Sequence, residues 1–278
     1  MTILFILLFF SALFIIYLWK IKAQWTQRAS SLINKTIANS TQTRELIDFD
    51  ELSNSPEIVR TYLKRVLPEG SPVISRAVIT QQGGFRAKPD LKQWSLMQAE
   101  QLFTTHPRSF VWNATISIFP GITISILDNY SNGKGIISGK LMSLFTVLHD
   151  SDQSQLNEAS LQRYLAESVW FPSALLPSQG IHWEETNPHM ARASITDSGT
   201  TTSLDFEFND SGEVVSVYTP GRYREVSGQY IATPWKGTFS HYINIDGYLV
   251  PQQAQVEWHL NDQVFSYWQA KITGFRYD

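Results

Sequence analysis

Residues 110–118 read Phe-Val-Trp-Asn-Ala-Thr-Ile-Ser-Ile, and Ile122, Ile124 and Ile126 follow across Pro120-Gly121. Phe110, Trp112, Ala114, Ile116 and Ile118 alternate with Val111, Asn113, Thr115 and Ser117, a period of two that predicts a strand with one face in a core and the other wet. Asn132-Gly133 is a tight hairpin pair, and its partner strand is expected over 136–148. The same pattern recurs at 191–196, 204–208, 214–218, 222–226, 235–245, 248–260 (bent near Pro251) and 264–272. The joins at 210–212, 246–247 and 261–262 are too short for parallel crossovers, so these strands are expected to be antiparallel. Doubly wound and TIM-barrel folds are thereby excluded.

Helical spacing is found in two places within this region. Ser55-Pro56 supplies a helix start, Ile58, Tyr62, Leu63 and Val66 recur on one face, and Pro68 with Gly70 ends the run. A second helix is expected over 157–170, with Leu161, Leu165, Ser168 and Val169 on one stripe, and Pro172 opens a short further turn to Leu176. The expected class is α+β, mostly β: a single domain over 55–278 in which a curved antiparallel sheet of about ten strands, a half-barrel, carries two main helices.

Ahead of it, residues 1–18 are nearly all Ile, Leu and Phe, ending in Tyr17, Trp19, Lys20 and Lys22. About 17–20 such residues span a hydrocarbon core of ~30 Å, and an aromatic-then-lysine edge marks the interface. A secretory signal is the rival reading, but no Lys or Arg precedes the apolar run and Ile21-Lys22-Ala23 lacks the small-x-small cleavage pattern. Residues 1–20 are therefore expected to be a single-pass anchor in the cell membrane, contacting lipid from Ile3 to Leu18. Lys20, Lys22 and Arg28 favour a cytoplasmic body, and 21–54, rich in Gln, Ser, Thr and Asn over 23–43, reads as a juxtamembrane tether or frayed helix.

Composition narrows the chemistry. A net charge of −3 gives no electrostatic reason to expect nucleic acid, and the absence of Cys removes disulfides, thiol catalysis and thiolate metal sites together. No Gly-x-Ser-x-Gly elbow, His-Glu-x-x-His helix or Walker loop is present, and Gly133-Lys-Gly135 with Gly139 sits between strands rather than before a helix, so no cofactor is expected. His182 and Glu184 share a strand face but would need a third ligand to hold a metal, and surface residues are the simpler reading.

One geometric mismatch points to function. About ten strands at ~4.8 Å spacing make a sheet nearly 50 Å wide, and two helices of ~10 Å diameter shelter less than half of it. Yet some strands are apolar on both faces, as where Ile137, Leu141, Phe145 and Val147 oppose Ile136, Met142, Leu144 and Leu148. The sheet must curl over its own apolar face and either fill the concavity or line a groove for an apolar ligand.

Three stretches resemble a family of bacterial membrane-anchored proteins that carry a domain of unknown function. They are 58–68 with Gly84-Phe85-Arg86 and Trp94, then Phe110-Val-Trp112 with 128–133, and 163–176 with Trp183; later echoes are Arg222, Pro234-Trp235, Gly247, Pro251, Trp258 and Tyr267-Trp268. The resemblance spans nearly all of the chain after the tether and implies no activity. The order helix, strands, helix, strands is also similar to the half-barrel of the LolA and LppX lipoprotein carriers, which implies a curved sheet around an apolar ligand.

The expected ligand-binding residues are Arg222, Arg224, Glu167, Trp112, Trp170 and Trp235. Arg222 and Arg224, two apart on a strand, project on one face and present a fork of donors suited to a carboxylate or phosphate, unless Asp205 and Glu207 pair them. Glu167, beside Trp170 and Phe171, either forms a solvated pair with Arg163 or is a carboxylate at a cavity mouth with a raised pKa. The expected function is a membrane-anchored protein that binds an apolar ligand or lipid in its curved sheet. The alternatives are a membrane-tethered protein-interaction module with a filled core, and an enzyme using Glu167 or a histidine.

Overall fold

A computed structural model of the chain describes the backbone of residues 2–261 and 263–278; side chains at 2–8, 10–12, 14 and 15 lie outside the described set. Its centre is one sheet of thirteen strands in the order β6-β5-β4-β3-β2-β1-β13-β12-β11-β10-β9-β8-β7. The first arm comprises β1 (Arg76–Phe85), β2 (Ser95–Thr104), β3 (Ser109–Phe119), β4 (Ile122–Ser131), β5 (Lys134–Leu141) and β6 (Phe145–Ser151). The second comprises β7 (Ile181–Asn187), β8 (Met190–Asp197), β9 (Thr200–Phe208), β10 (Val214–Val226), β11 (Gln229–Ile245), β12 (Tyr248–Leu260) and β13 (Gln263–Tyr277). Each arm is an antiparallel meander, and the two are joined where β1 pairs with β13 from Ala77↔Tyr277 to Phe85↔Trp268.

The expected count of about ten strands is corrected to thirteen. β1, β2 and β7 escape the period-two search because their inward rows carry polar residues or are short; Gln81 and Gln101 are buried inside the sheet at 1% and 0% exposure. The expected strand over 136–148 is two, split by Met142 and Ser143 with φ of 55° and 59°. The expected pair over 214–226 is one strand, continuous through a bulge. Asn132-Gly133 turns as expected, with φ of 51° and 76°.

Three helices accompany the sheet. α1 (Thr2–Asn39) contains the expected anchor, most of which lies outside the described side chains; among the described residues no helix is long and apolar enough to cross a membrane. Of the stretch expected as tether over 21–54, residues 21–39 continue this helix, and the remainder forms a bridge from Leu46 to Pro72 and a 3-10 turn at Phe49–Asn54. Trp25 and Ala29, with Leu32 and Ile33, pack on Val111 and Leu127 of the convex sheet face. Their spacing is a helical stripe, hidden in the sequence by the polar residues around it. α2 (Glu57–Val66) buries Tyr62, Leu63 and Val66 as expected at one end of the concavity, with Val59 wholly buried and the expected Ile58 only half-buried. α3 (Ser154–Glu167) ends three residues earlier than expected, giving way to 3-10 turns at Ser168–Trp170, Pro172–Leu175 and Pro177–Gln179.

α3 and these turns connect β6 to β7, the two outer edges of the sheet, so the crossover spans the concave side. α3 touches β5 on one arm and β9 and β10 on the other. Its seat on β5 is set by Gly135, whose N–H donates to Asn157 Oδ1 at 2.8 Å. A Cβ at Gly135 would collide with Ser160 Oγ and lie 3.0 Å from the Leu156 carbonyl oxygen. Gly135→Ala is therefore expected to lift the first turns of α3 and to destabilise the protein by ~1–3 kcal/mol. Urea denaturation measures this, and an unchanged midpoint would mean that α3 is not seated here.

Candidate functional site

Two fillings share the concave side. At the α2 end the apolar faces close on one another, with Tyr62, Phe103, Phe171 and Phe206 wholly buried. Between α3 and the far halves of β10 to β13, the sheet instead encloses a cavity of about 750 Å³. Its wall is mostly aromatic and aliphatic, including Trp235, Phe239, Val256, Trp258 and Trp268. All six residues expected to bind a ligand, Arg222, Arg224, Glu167, Trp112, Trp170 and Trp235, lie on this wall.

The two arginines point inward because of a defect in the ladder. In β10 the register against β11 slips between Thr219, opposite Trp235, and Arg222, opposite Thr233. The extra residue at Pro220-Gly221 is a β-bulge, and it switches the inward row from Val217 and Thr219 to Arg222 and Arg224. An unbroken strand would have aimed both guanidiniums outward.

Neither arginine finds the acidic partners that the sequence offered. Asp205 receives two bonds from Arg192, at 2.7 and 2.9 Å. Glu207 accepts from Ser216 at 2.6 Å and faces Lys236 at 3.7 Å. Arg222 instead lies over the Trp235 ring at 5.0 Å, and Arg224 over Trp258 at 5.9 Å. Arg222 Nη1 and Arg224 Nε are buried with no hydrogen-bond partner. Burial pushes the pKa of Arg222 down, and the charge of Arg163 acts in the same sense, against Tyr267, Asp128 and Glu167. Both side chains are part-buried with no hydrogen-bonded anion, an arrangement that favours a ligand bringing a negative group.

Across the cavity a buried polar chain holds the opposite wall. Trp112 Nε1 donates to Gln81 Oε1 at 2.9 Å, Gln81 to Gln101 at 3.0 Å, and Gln101 to Glu167 Oε2 at 2.7 Å. Arg163 then donates to Glu167 Oε1 at 2.9 Å and to Asp128 Oδ2 at 2.7 Å, with its guanidinium 5.0 Å from the Phe110 and Trp112 rings. Glu167 is thus paired with Arg163, but within the interior rather than in solvent. Its burial raises its pKa, opposed by the Arg163 charge and by the bonds from Arg163 and Gln101. Asp128 Oδ1 is buried without a partner. Trp170 and Trp235 are pinned by donating to the Pro251 carbonyl at 3.1 Å and to the Tyr267 hydroxyl at 3.0 Å.

The wall carries three guanidiniums, of Arg163, Arg222 and Arg224, and four carboxylates: Asp128 and Glu167 deep in the cavity, the latter drawn toward its neutral form by burial, and Asp150 and Glu225 nearer the surface. The mouth lies between β6, with Val147, Leu148 and Asp150, and the hairpin joining β10 to β11. Tyr230 on that hairpin donates to Asp150, a bond between strands from opposite arms of the sheet. Sequence reasoning did not single out Arg163 as the hub, nor Asp128 or Tyr230. A signal for Asp128 existed: it stands in the inward row Ile124, Ile126, Asp128, Tyr130, where a carboxylate is out of place. His182 and Glu184 share an exposed face, 3.2 Å apart and remote from the cavity wall.

Residues 53–277 match the model of a family of unknown function, DUF6920, and the chain belongs to that family. Among solved structures, a domain assigned provisionally to outer membrane lipoprotein sorting in Vibrio parahaemolyticus is similar at 12% identity, over 80% of this chain and 91% of that one, with a TM-score of 0.42. A LolA superfamily protein from Nitrosomonas europaea is similar at 11% identity, over 79% and 91%, with a TM-score of 0.41. None of the curated proteins compared matches the chain.

Proposed function

We propose that the protein is a membrane-anchored carrier or sensor that binds an apolar ligand with an acidic head. The observation that carries this reading is the aromatic cavity of about 750 Å³ with two unpartnered guanidiniums on one wall. The largely aromatic and aliphatic wall suits a hydrocarbon chain, and Arg222 and Arg224 suit its head. The anchor expected from Ile3 to Leu18 would keep this site beside the bilayer. The hollow also speaks against the interaction module with a filled core.

Native mass spectrometry of the full chain, released from nanodiscs, is expected to show co-purified lipid. A fluorescent fatty acid such as parinaric acid is expected to bind, and to bind at least ~10-fold more weakly after Ala254→Phe, which fills the cavity from β12. A chain that carries no lipid and ignores the probe, or an Ala254→Phe variant that binds it unchanged, would overturn the proposal.

A further inference from the structure

Large apolar side chains are exposed along one rim of the sheet. Leu96 at the start of β2 is 74% exposed, Phe119 at the end of β3 66%, and Phe145 at the start of β6 64%. Ile122 and Leu91 join them. The β1–β2 loop, the β3–β4 turn and the β5–β6 turn are consecutive on this rim, ~10 Å apart at two strand spacings each. Exposed apolar residues thus stand at or beside all three tips of this rim, and the β1–β2 loop adds the exposed Lys88, Asp90 and Lys92. Large apolar side chains gathered on one rim mark a contact surface.

α1 indicates what the patch contacts. Its C-terminal end lies at the other end of the sheet, where the Thr41 N–H donates to the His106 carbonyl in the β2–β3 turn at 2.8 Å. Followed toward its N-terminus it crosses the convex face, and the Trp25 ring reaches Lys140, one residue short of the end of β5, with Nζ at 5.8 Å. Eight residues of helix rise ~12 Å, which brings Tyr17 and Trp19 to the level of the apolar turns. Tyr17 and Trp19 are exposed, as are Leu13 and Ile16 beyond them, and Lys20 is exposed one residue further on. Aromatic and basic residues at one level, with apolar residues beyond it, form the pattern of a bilayer interface.

We propose that this rim rests on a lipid bilayer, with Phe119, Ile122, Phe145 and Leu96 in the interfacial layer. The inference rests on the membrane placement proposed above and adds a second, independent point of contact. Val147 and Leu148 on β6 are exposed next to Phe145 and also line the cavity. They give a hydrocarbon chain an apolar path from the membrane into the hollow without passing through water.

The absence of native Cys allows a direct test in the full chain. Single Phe119→Cys, Phe145→Cys, Leu13→Cys and Asp210→Cys variants would carry an environment-sensitive fluorophore. Asp210, in the β9–β10 turn, marks the other end of the sheet. In phosphatidylcholine vesicles containing doxyl-labelled phosphatidylcholine, labels at 13, 119 and 145 are expected to be quenched several-fold more than the label at 210. Quenching at 13 but not at 119 or 145 overturns the rim contact and leaves the anchor standing. Quenching at none of them overturns both. Labels at 119 and 145 that are shielded from aqueous iodide yet untouched by the lipid quencher would assign the rim to a protein partner or a second copy, which also overturns the inference.

Discussion

Arg222→Met is expected to stabilise the empty protein while weakening its hold on an acidic ligand. The guanidinium of Arg222 is buried against Trp235 with Nη1 unpartnered, and the nearby carboxylates Asp128 and Glu167 are both engaged by Arg163. Replacing a part-buried cation that has no hydrogen-bonded anion by an apolar side chain of similar length removes part of the desolvation cost and keeps the packing on the indole, a gain on the order of 1 kcal/mol. The same change removes a charge-assisted bond to the ligand head, worth ~1.5–3 kcal/mol or about 10–100-fold in affinity. Denaturation midpoints and parallel titrations with a fatty acid and the matching fatty alcohol measure the two effects. The acid should lose affinity and the alcohol should not. Equal losses, or a less stable variant, would show that Arg222 is a structural residue.

Arg163→Met should do the opposite, and on a larger scale. Arg163 is the only described cation bonded to Glu167 and Asp128, and its loss strands two buried carboxylates. Breaking such a pair from one side costs ~3–5 kcal/mol, which for a domain of this size lowers the melting temperature by about 10 °C. pH separates this mechanism from simple loss of packing. Burial raises the pKa of Glu167 above its ordinary 4.5, so the folded state holds that proton more tightly than the unfolded chain does. The contribution of Glu167 to stability is then greatest below the unfolded value and falls as pH rises through the folded one. Without Arg163 the folded value climbs further, so the deficit of Arg163→Met should be smaller near about pH 5 than near about pH 8. Glu167→Gln, which keeps an acceptor for Gln101, should remove this pH dependence. A deficit independent of pH would argue against a charge-based role for the triad.

What the sequence could and could not show follows from these interactions. The strand that begins at Phe110 and the hairpin at Asn132-Gly133 were legible because their inward rows are uninterrupted and their turn chemistry is specific. β1 and β2 were not, because their inward rows contain Gln81 and Gln101, polar residues that satisfy each other across the sheet and leave no apolar alternation to detect. The docked part of α1 was missed because its stripe is thin: a Trp, an Ala and two part-buried aliphatics among Gln, Ser and Lys. Arg222 and Arg224 were chosen as residues sharing a strand face. That they face inward depends on the bulge at Pro220-Gly221, which local periodicity cannot locate. The Arg163 hub was out of reach because it joins residues from β2, β4 and α3, whose proximity exists only once the sheet has curved.

The pairing of β1 with β13 has a consequence for how the molecule is made. The first strand of the sheet waits for the last, about 180 residues later, so the seam between the meanders is the slowest and most non-local contact in the fold. During synthesis the N-terminal meander stands with β1 as an unsatisfied edge, a template for wrong partners until β13 leaves the ribosome. That closing strand acts as a keystone: the concavity takes its final curvature, and hence its volume, only when the final segment has been threaded into place.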